Sequence, residues 1–265
     1  MSPMSADKPR EYNVSVNSLP CRVWERGVGP SVGFFPGIGG LPRWTPFLET
    51  LSRQYKVTVP SLPGFPGANG HRDLDDHLDW LLATRDLVQA SGLLGADIIA
   101  ASVAGALLAD AAAVWPDLVR RLILIAPFGL FDVSDPVADI WAQRPNSEPE
   151  LLCSRKENYA EVFDAPVGGD AVEWDIVQGR ASEAAARFLF PFGETGLRRR
   201  LHRISRPVLV IRGGKDKVIP ESQARLFASL VGPSCSFASI PDAGHLAELD
   251  QPEEVARVVK SFLDS

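Results

Sequence analysis

The chain has 265 residues, of which 45% are hydrophobic and 23% charged, with a formal net charge of -6. That is enough apolar material for a sizeable core, and the acidic balance argues against a nucleic-acid partner, which would favour a basic surface. The longest apolar run, residues 98–109, is too short to span a bilayer.

MSPMSADKPR has no apolar segment of the kind a signal peptide needs. Cys21, Cys153 and Cys235 are few, odd in number and far apart, as expected of reduced thiols rather than a disulfide framework. A soluble, cytoplasmic protein with no membrane association is expected.

In chain order, YNVSVNSL and CRVWER, divided by Pro20, read as an opening antiparallel pair. VGFFP (32–36) reads as a buried strand, followed by a helix from about Pro42 to Leu51. KVTVP (56–60) is a further strand leading into the loop SLPGFPGANG. A long helix is expected over roughly Leu74 to Ala90, with Leu74, Leu78, Leu81, Leu82 and Val88 as its apolar positions. ADIIA (96–100), a helix from Val103 to Val114, and LILIA (122–126) come next. PVLVIRG, a helix from Glu221 to Leu230, SFASIP and a helix from Pro252 to Phe262 close the chain. Strands alternating with helices predict an α/β fold, a mostly parallel central sheet flanked by helices.

Between Phe128 and about Arg203 the strand-like runs stop. Helical stretches there carry Trp141, Phe163, Trp174, Phe188, Phe190 and Phe192. A helical insertion with its own small core is expected, and one placed between two strands can also roof a pocket at their carboxyl ends, where open α/β sheets place ligands.

The literal pattern Gly-x-Ser-x-Gly occurs at GPSVG (29–33). Ser31, however, follows the turn-like RGVGP and precedes a strand, so it reads as a loop serine. Ser102 has Ala100 and Ala104 where glycines are usual, but strand ADIIA runs into it and helix VAGALLADAAAV leaves it. That is the mechanical requirement for a sharp strand–turn–helix elbow, which lifts a hydroxyl above a sheet. On this stretch alone a helix N-cap reading is equally good. Asp216 in RGGKDKVIP and His245 in DAGHLAELDQP each follow a strand as well, so the order Ser, Asp, His lies along one sheet edge.

With these motifs, and with FFPGIGG and VPSLPGFPG, the chain resembles the α/β-hydrolase superfamily in its capped, serine-dependent branch over nearly its whole length. The resemblance implies Ser102 as nucleophile, His245 as general base and Asp216 as the carboxylate that orients it. It also implies an oxyanion hole from the backbone N–H groups of Ile38 and Val103, and a helical cap over 128–203 inserted in a hydrolase core of 1–127 and 204–265. Asp132, in the loop after the preceding strand, is the alternative position for the acid. Pro36 stands where a histidine usually precedes the oxyanion loop. Trp141, Trp174, Phe128 and Leu246 are the candidates for the substrate pocket.

The expected reaction is hydrolysis of a carboxylic ester or related acyl bond of a small, largely apolar molecule, without cofactor or metal. Carbon–carbon bond hydrolysis, lactone opening and perhydrolysis use the same triad and stay open, as does a small-molecule receptor that retains the fold. A serine at position 102 disfavours the aspartate-dependent dehalogenases and epoxide hydrolases. GIGGLP (37–42) has Pro42 where a dinucleotide fingerprint needs its last glycine. His71, His77 and His202 lack partners at metal-ligand spacing. LRRRLHRISR (197–206) is read as a solvated helix face, with Arg199, Arg203 and Arg206 aligned. The sequence does not fix the oligomeric state.

Overall fold

The computed structural model describes residues 8–144, 147–165, 168–189 and 195–265. Its described strands are β1 (Arg10–Val16), β2 (Leu19–Arg26), β3 (Ser31–Phe35), β4 (Lys56–Pro60), β5 (Ala96–Ala101), β6 (Val119–Ile125), β7 (Val208–Gly213) and β8 (Cys235–Ile240). They form one sheet in the order β1-β2-β4-β3-β5-β6-β7-β8. The pairs β1–β2 and β2–β4 are antiparallel and all others parallel.

Helices α1 (Pro46–Ser52), α8 (Ala247–Asp250) and α9 (Pro252–Leu263) cover one face, and α2 (His77–Ala90), α3 (Ser102–Val114) and α7 (Glu221–Val231) the other. Strands buried on both faces explain runs such as Ile98–Ile99–Ala100 and Leu122–Ile123–Leu124–Ile125, all fully buried. From β3 the chain winds outward to β4, then crosses back to β5 on the other side of β3. The carboxyl ends of β3 and β5 therefore flank the switch point where α/β sheets open a crevice.

Between β6 and β7 the described residues hold α4 (Glu148–Leu152), α5 (Lys156–Phe163), α6 (Ala171–Leu189) and two 3-10 turns, Leu197–Arg199 and Leu201–Arg203, but no strand. This is the expected helical segment. Phe190 and Phe192 lie outside the described residues.

Four local expectations need correction. The hairpin turns at Asn17–Ser18, both at positive φ, and Pro20 sits inside β2 opposite Ser15. Two turn residues at positive φ match the right-handed twist of the flanking strands, and proline at that end of β2 leaves no ladder bond unmade. Helix α1 begins at Pro46 behind Thr45, four residues later than Pro42 suggests. In α2 the start is fixed by a capping box: Asp79 N–H donates to Asp76 Oδ1 (3.0 Å) and Asp76 N–H to Asp79 Oδ2 (3.3 Å). Leu74 is buried ahead of that cap, and the buried stripe runs through Trp80, Leu81, Thr84, Leu87 and Val88. Leu78, 56% exposed, and Leu82 lie on the opposite side, because burying the Trp80 indole decides the rotation of the helix.

The arginine-rich stretch is not one helical face. Arg200 makes a two-bond ion pair with buried Asp110 of α3 (2.6 Å each), which His77 also meets at 2.7 Å. Arg203 and Arg206 donate to the carbonyls of Ala113 and Pro116 at the end of α3. Burial alone would raise the Asp110 carboxyl, but the Arg200 and His77 bonds outweigh it and hold it below its usual range. These arginines dock the end of the helical segment onto α3.

Candidate active site

Ser102 is the first residue of α3 and has φ +51°, the left-handed region that side chains other than glycine seldom enter. Such a conformation costs energy and persists only where the surroundings impose it. Here they do. A Cβ placed on Gly37 would lie 2.7 Å from the Ser102 Cβ, and one on Gly105 would meet Pro127 at 3.0 Å. Small residues are thus required where β5, α3 and the loop after β3 converge, and Ala100 and Ala104, both fully buried, meet that need without glycine. Phe128 N–H donates to the Ser102 carbonyl (3.2 Å) and ties the elbow to the end of β6.

Ser102 Oγ lies 2.7 Å from His245 Nε2, and His245 Nδ1 lies 3.2 Å from Asp216 Oδ2. The carboxylate can only accept, so Nδ1 carries the ring proton and Nε2 accepts from the serine hydroxyl. The other Asp216 oxygen accepts from the N–H groups of Val218 (2.8 Å) and Ile219 (3.0 Å), which hold it on the turn after β7. The Phe128 ring stands edge-on to the imidazole, with centroids 5.5 Å apart. Ser102 and His245 are each 1% exposed and Asp216 8%.

The loop that carries His245 is set by close backbone packing and by Asp250. A side chain on Gly213 would collide with the Ala243 and Gly244 carbonyls. Asp250 Oδ2 accepts from Gly244 N–H (2.7 Å) and Ser154 N–H (2.6 Å), while Oδ1 accepts from Asn158 Nδ2 (2.7 Å). One buried carboxylate therefore joins the histidine loop to the helical segment.

Asp132 is turned elsewhere: its Oδ1 accepts from Ser134 N–H (2.9 Å) and Oγ (2.6 Å), bonds that hold it below its usual range. Ser31 opens β3 and pairs with Lys56. Ile38 and Gly37 belong to the loop that touches Ser102, and Val103 lies in the first turn of α3, whose N–H groups have no partner within the helix.

A cavity of about 290 Å³ opens beyond that loop, between it and the helical segment. Ile38 and Gly39 touch it from below, and Trp141, Leu152, Tyr159 and Gln178 are among the residues touching it from above. Ser102 does not line it; Ile38 is the link. Of the four pocket candidates, only Trp141 lines this cavity, with its Nε1–H donated to Ser182 Oγ (2.9 Å). Trp174 is outside it: Arg43 stacks on its ring and its Nε1–H is donated to the Phe163 carbonyl (2.7 Å). Phe128 packs on His245, and Leu246 lines a narrower cleft behind the loop that carries Gly37 and Ile38.

Sequence reasoning missed Gln178, Tyr159 and Glu148 of this lining, and also Glu248. The last is a buried carboxyl three residues after His245, and its Oε2 has no hydrogen-bond partner. Burial pushes it up to about 7. Among the described residues no cluster of three or more metal-ligating side chains occurs, and no helix is long and apolar enough to cross a membrane.

A strand–elbow–helix serine after β5, an aspartate after β7 and a histidine after β8 of such a sheet define an α/β hydrolase by class. Residues 34–258 match the alpha/beta hydrolase family, and the chain belongs to that family. It is 24% identical over 245 residues to 2-hydroxy-6-oxo-2,4-heptadienoate hydrolase of Pseudomonas putida, covering 87% of this chain and 86% of that one. It is 25% identical over 255 residues to pyrrolizixenacetamide deacetylase of Xenorhabdus hominickii, covering 89% and 92%. Among solved structures, an esterase from a Rhodococcus species superposes with a TM-score of 0.72 at 18% identity, covering 98% of this chain and 99% of that one.

Proposed function

We propose that this hydrolase cleaves a carboxylic ester or a related acyl bond of a small, neutral, largely apolar compound through a seryl acyl-enzyme. The observation that carries the reading is the strained Ser102 with its hydroxyl 2.7 Å from His245 Nε2. A serine hydroxyl is a weak nucleophile until a neighbouring base takes its proton.

In this reading Ser102 Oγ attacks the acyl carbon while its proton passes to Nε2. Asp216 stabilises the resulting imidazolium through Nδ1–H. The N–H groups of Ile38 and Val103 receive the developing oxyanion, with the positive end of α3 behind Val103. The leaving group departs with the proton from Nε2. Water then gives a proton to Nε2, adds to the acyl carbon and displaces the serine oxygen, which takes that proton back. The helical segment 128–203 serves as the cap.

The Pseudomonas relative, by its name, acts on a dienoate, which carries a carboxylate. Among the described residues the cavity holds one acidic side chain, Glu148, and no Lys or Arg. An anionic substrate would find no counter-charge there, so neutral acyl compounds fit better than a dienoate.

A fluorophosphonate probe is expected to label Ser102 and to leave Ser31 untouched. A panel of p-nitrophenyl esters of increasing acyl length, with a meta-cleavage dienoate as outlier, reads the substrate class. Sustained turnover after any burst marks an enzyme, whereas a single burst followed by a flat line across the panel points to a receptor. Labelling at Ser31, or full turnover in Ser102→Ala, would defeat the proposal.

A further inference from the structure

Helix α6 stands between two hollows. On one side is the 290 Å³ cavity, met by Gln178, Gly179 and Ser182. On the other is a surface cleft of about 400 Å³, met by Ile176, Gly179, Arg180 and Glu183 of the helix and by the loop 69–73. Gly179 belongs to both linings.

Helical geometry accounts for this. At about 100° per residue, Ser182 lies about 40° round the axis from Gln178, and Glu183, Ile176 and Arg180 lie about 140° to 200° round. Gly179, at about 100°, falls midway between the inner and outer stripes. A side chain at this position would stand on the ridge that separates the two hollows.

Neither backbone nor packing calls for glycine here. Gly179 is absent from the positive-φ residues, and a Cβ built on it meets no atom within 4 Å. Glycine is disfavoured in the middle of a helix, so its presence in open space at this one ridge position wants a reason. Ser102 supplies one: at 1% exposure it is closed to bulk solvent, and the cavity reaches the loop beside it at Ile38.

We infer that Gly179 is the sill of the substrate portal: compounds enter from the cleft over this residue into the cavity, and its missing side chain sets the width of the ligand admitted. Contacts from α6 to the loop 69–73 include buried His71 against Glu183 Oε2 (3.5 Å) and two exposed ones across the cleft. Arg72 pairs with Glu183 (3.1 Å), and Arg180 donates to Asn69 Oδ1 (3.1 Å). Solvated pairs of this kind part at little cost, so they can frame the mouth without sealing it. The ligands most dependent on such a portal are extended neutral acyl compounds.

The inference rests on the hydrolase reading for its first readout only. With Gly179→Trp, kcat/KM for p-nitrophenyl octanoate is expected to fall about tenfold or more, while p-nitrophenyl acetate stays within about threefold. Val172→Trp, on the same helix but lining neither hollow, should change neither. Should the tryptophan variant misfold, Gly179→Cys modified with a bulky methanethiosulfonate gives the same contrast in the folded protein. Dithiothreitol should reverse it, and treated wild type controls for the native thiols. Equal rates on octanoate, or an equal fall on both esters, would overturn the portal. If wild type neither labels with fluorophosphonate nor turns over, the hydrolase reading falls by itself. The portal is then read from stopped-flow entry of Nile red, which Gly179→Trp must slow for the inference to stand.

Discussion

The sheet-edge floor that carries Ser102, Asp216 and His245 and the helical roof between β6 and β7 are held by different means. On the floor, main chain decides position: Ser102 sits at positive φ against Gly37, Asp216 is gripped by two backbone N–H groups, and the His245 loop packs its backbone on Gly213. On the roof, side chains decide it. Trp141 is fixed by Ser182, Trp174 by the Phe163 carbonyl, and α5 by the bond from Asn158 to Asp250. A site built on backbone tolerates few residues at each position. One built on side chains can change its shape by single substitutions, so the proposed function puts chemistry in the first region and selectivity in the second.

The largest expected effect tests the floor. Asp216→Asn should fold normally but favour the wrong imidazole tautomer, lowering kcat by about 10⁴. Asp132→Asn, whose carboxylate is occupied by Ser134, should stay near wild type. The reverse result would move the acid to Asp132 and undo the assignment. No single substitution among the roof residues lining the cavity should match that loss.

The same contrast explains what the sequence made legible. An elbow serine is announced by local grammar, a strand before it, a helix after it and small residues around it, and all of that lies within ten residues of Ser102. Asp216 and His245 follow their strands in the same way. The roof has no such grammar. Trp174 counts as a pocket candidate by composition alone, but its indole N–H found a carbonyl eleven residues away and the ring turned outward. Gln178 and Tyr159 reach the cavity because α5 and α6 pack over a loop more than a hundred residues earlier, and no local pattern encodes that. Glu248 looks like an ordinary acidic residue at a helix start until the loop beside it buries it.

A smaller effect is expected where floor meets roof. Asp250→Ala removes the acceptor of three donors at once, two of them backbone N–H groups. Leaving buried donors unpaired should cost about 2 to 4 kcal/mol. Because Gly244 adjoins His245, kcat should also fall, by about 10-fold to 100-fold, through displacement of the imidazole. Chemical denaturation and ester kinetics on one preparation separate the two. Lost stability with unchanged kcat would show that floor and roof are mechanically independent.

Next comes the buried Glu248. Its carboxyl is raised from 4.5 to about 7, chiefly by burial, with Asp250 adding to the rise and His245 opposing it. A carboxyl raised on folding contributes stability that is fully present below its unfolded value and is lost as pH climbs through the folded one. Between pH 4.5 and about 7 the protein should therefore lose about 3 kcal/mol from this group. Glu248→Gln keeps the shape and removes the titration. Its melting temperature relative to wild type should climb by several degrees from pH 5 to pH 8. A constant difference across that range would mean that Glu248 ionises freely.

The smallest effect separates selectivity from stability at the roof. Gly179→Ala adds one methyl in a helix interior, where alanine is favoured over glycine by about 1 kcal/mol. The new Cβ meets nothing within 4 Å, so no strain offsets the gain. Exposed surroundings add little burial, which leaves backbone entropy of the unfolded chain as the main term. The variant should be more stable by about 0.5 to 1 kcal/mol by urea denaturation, with acetate turnover intact. Had the floor been treated the same way, the outcome would reverse: Gly37→Ala must drive its Cβ to within 2.7 Å of the Ser102 Cβ. If Gly179→Ala instead destabilises, the helix is using that glycine for its own packing, and the width of the portal is a by-product.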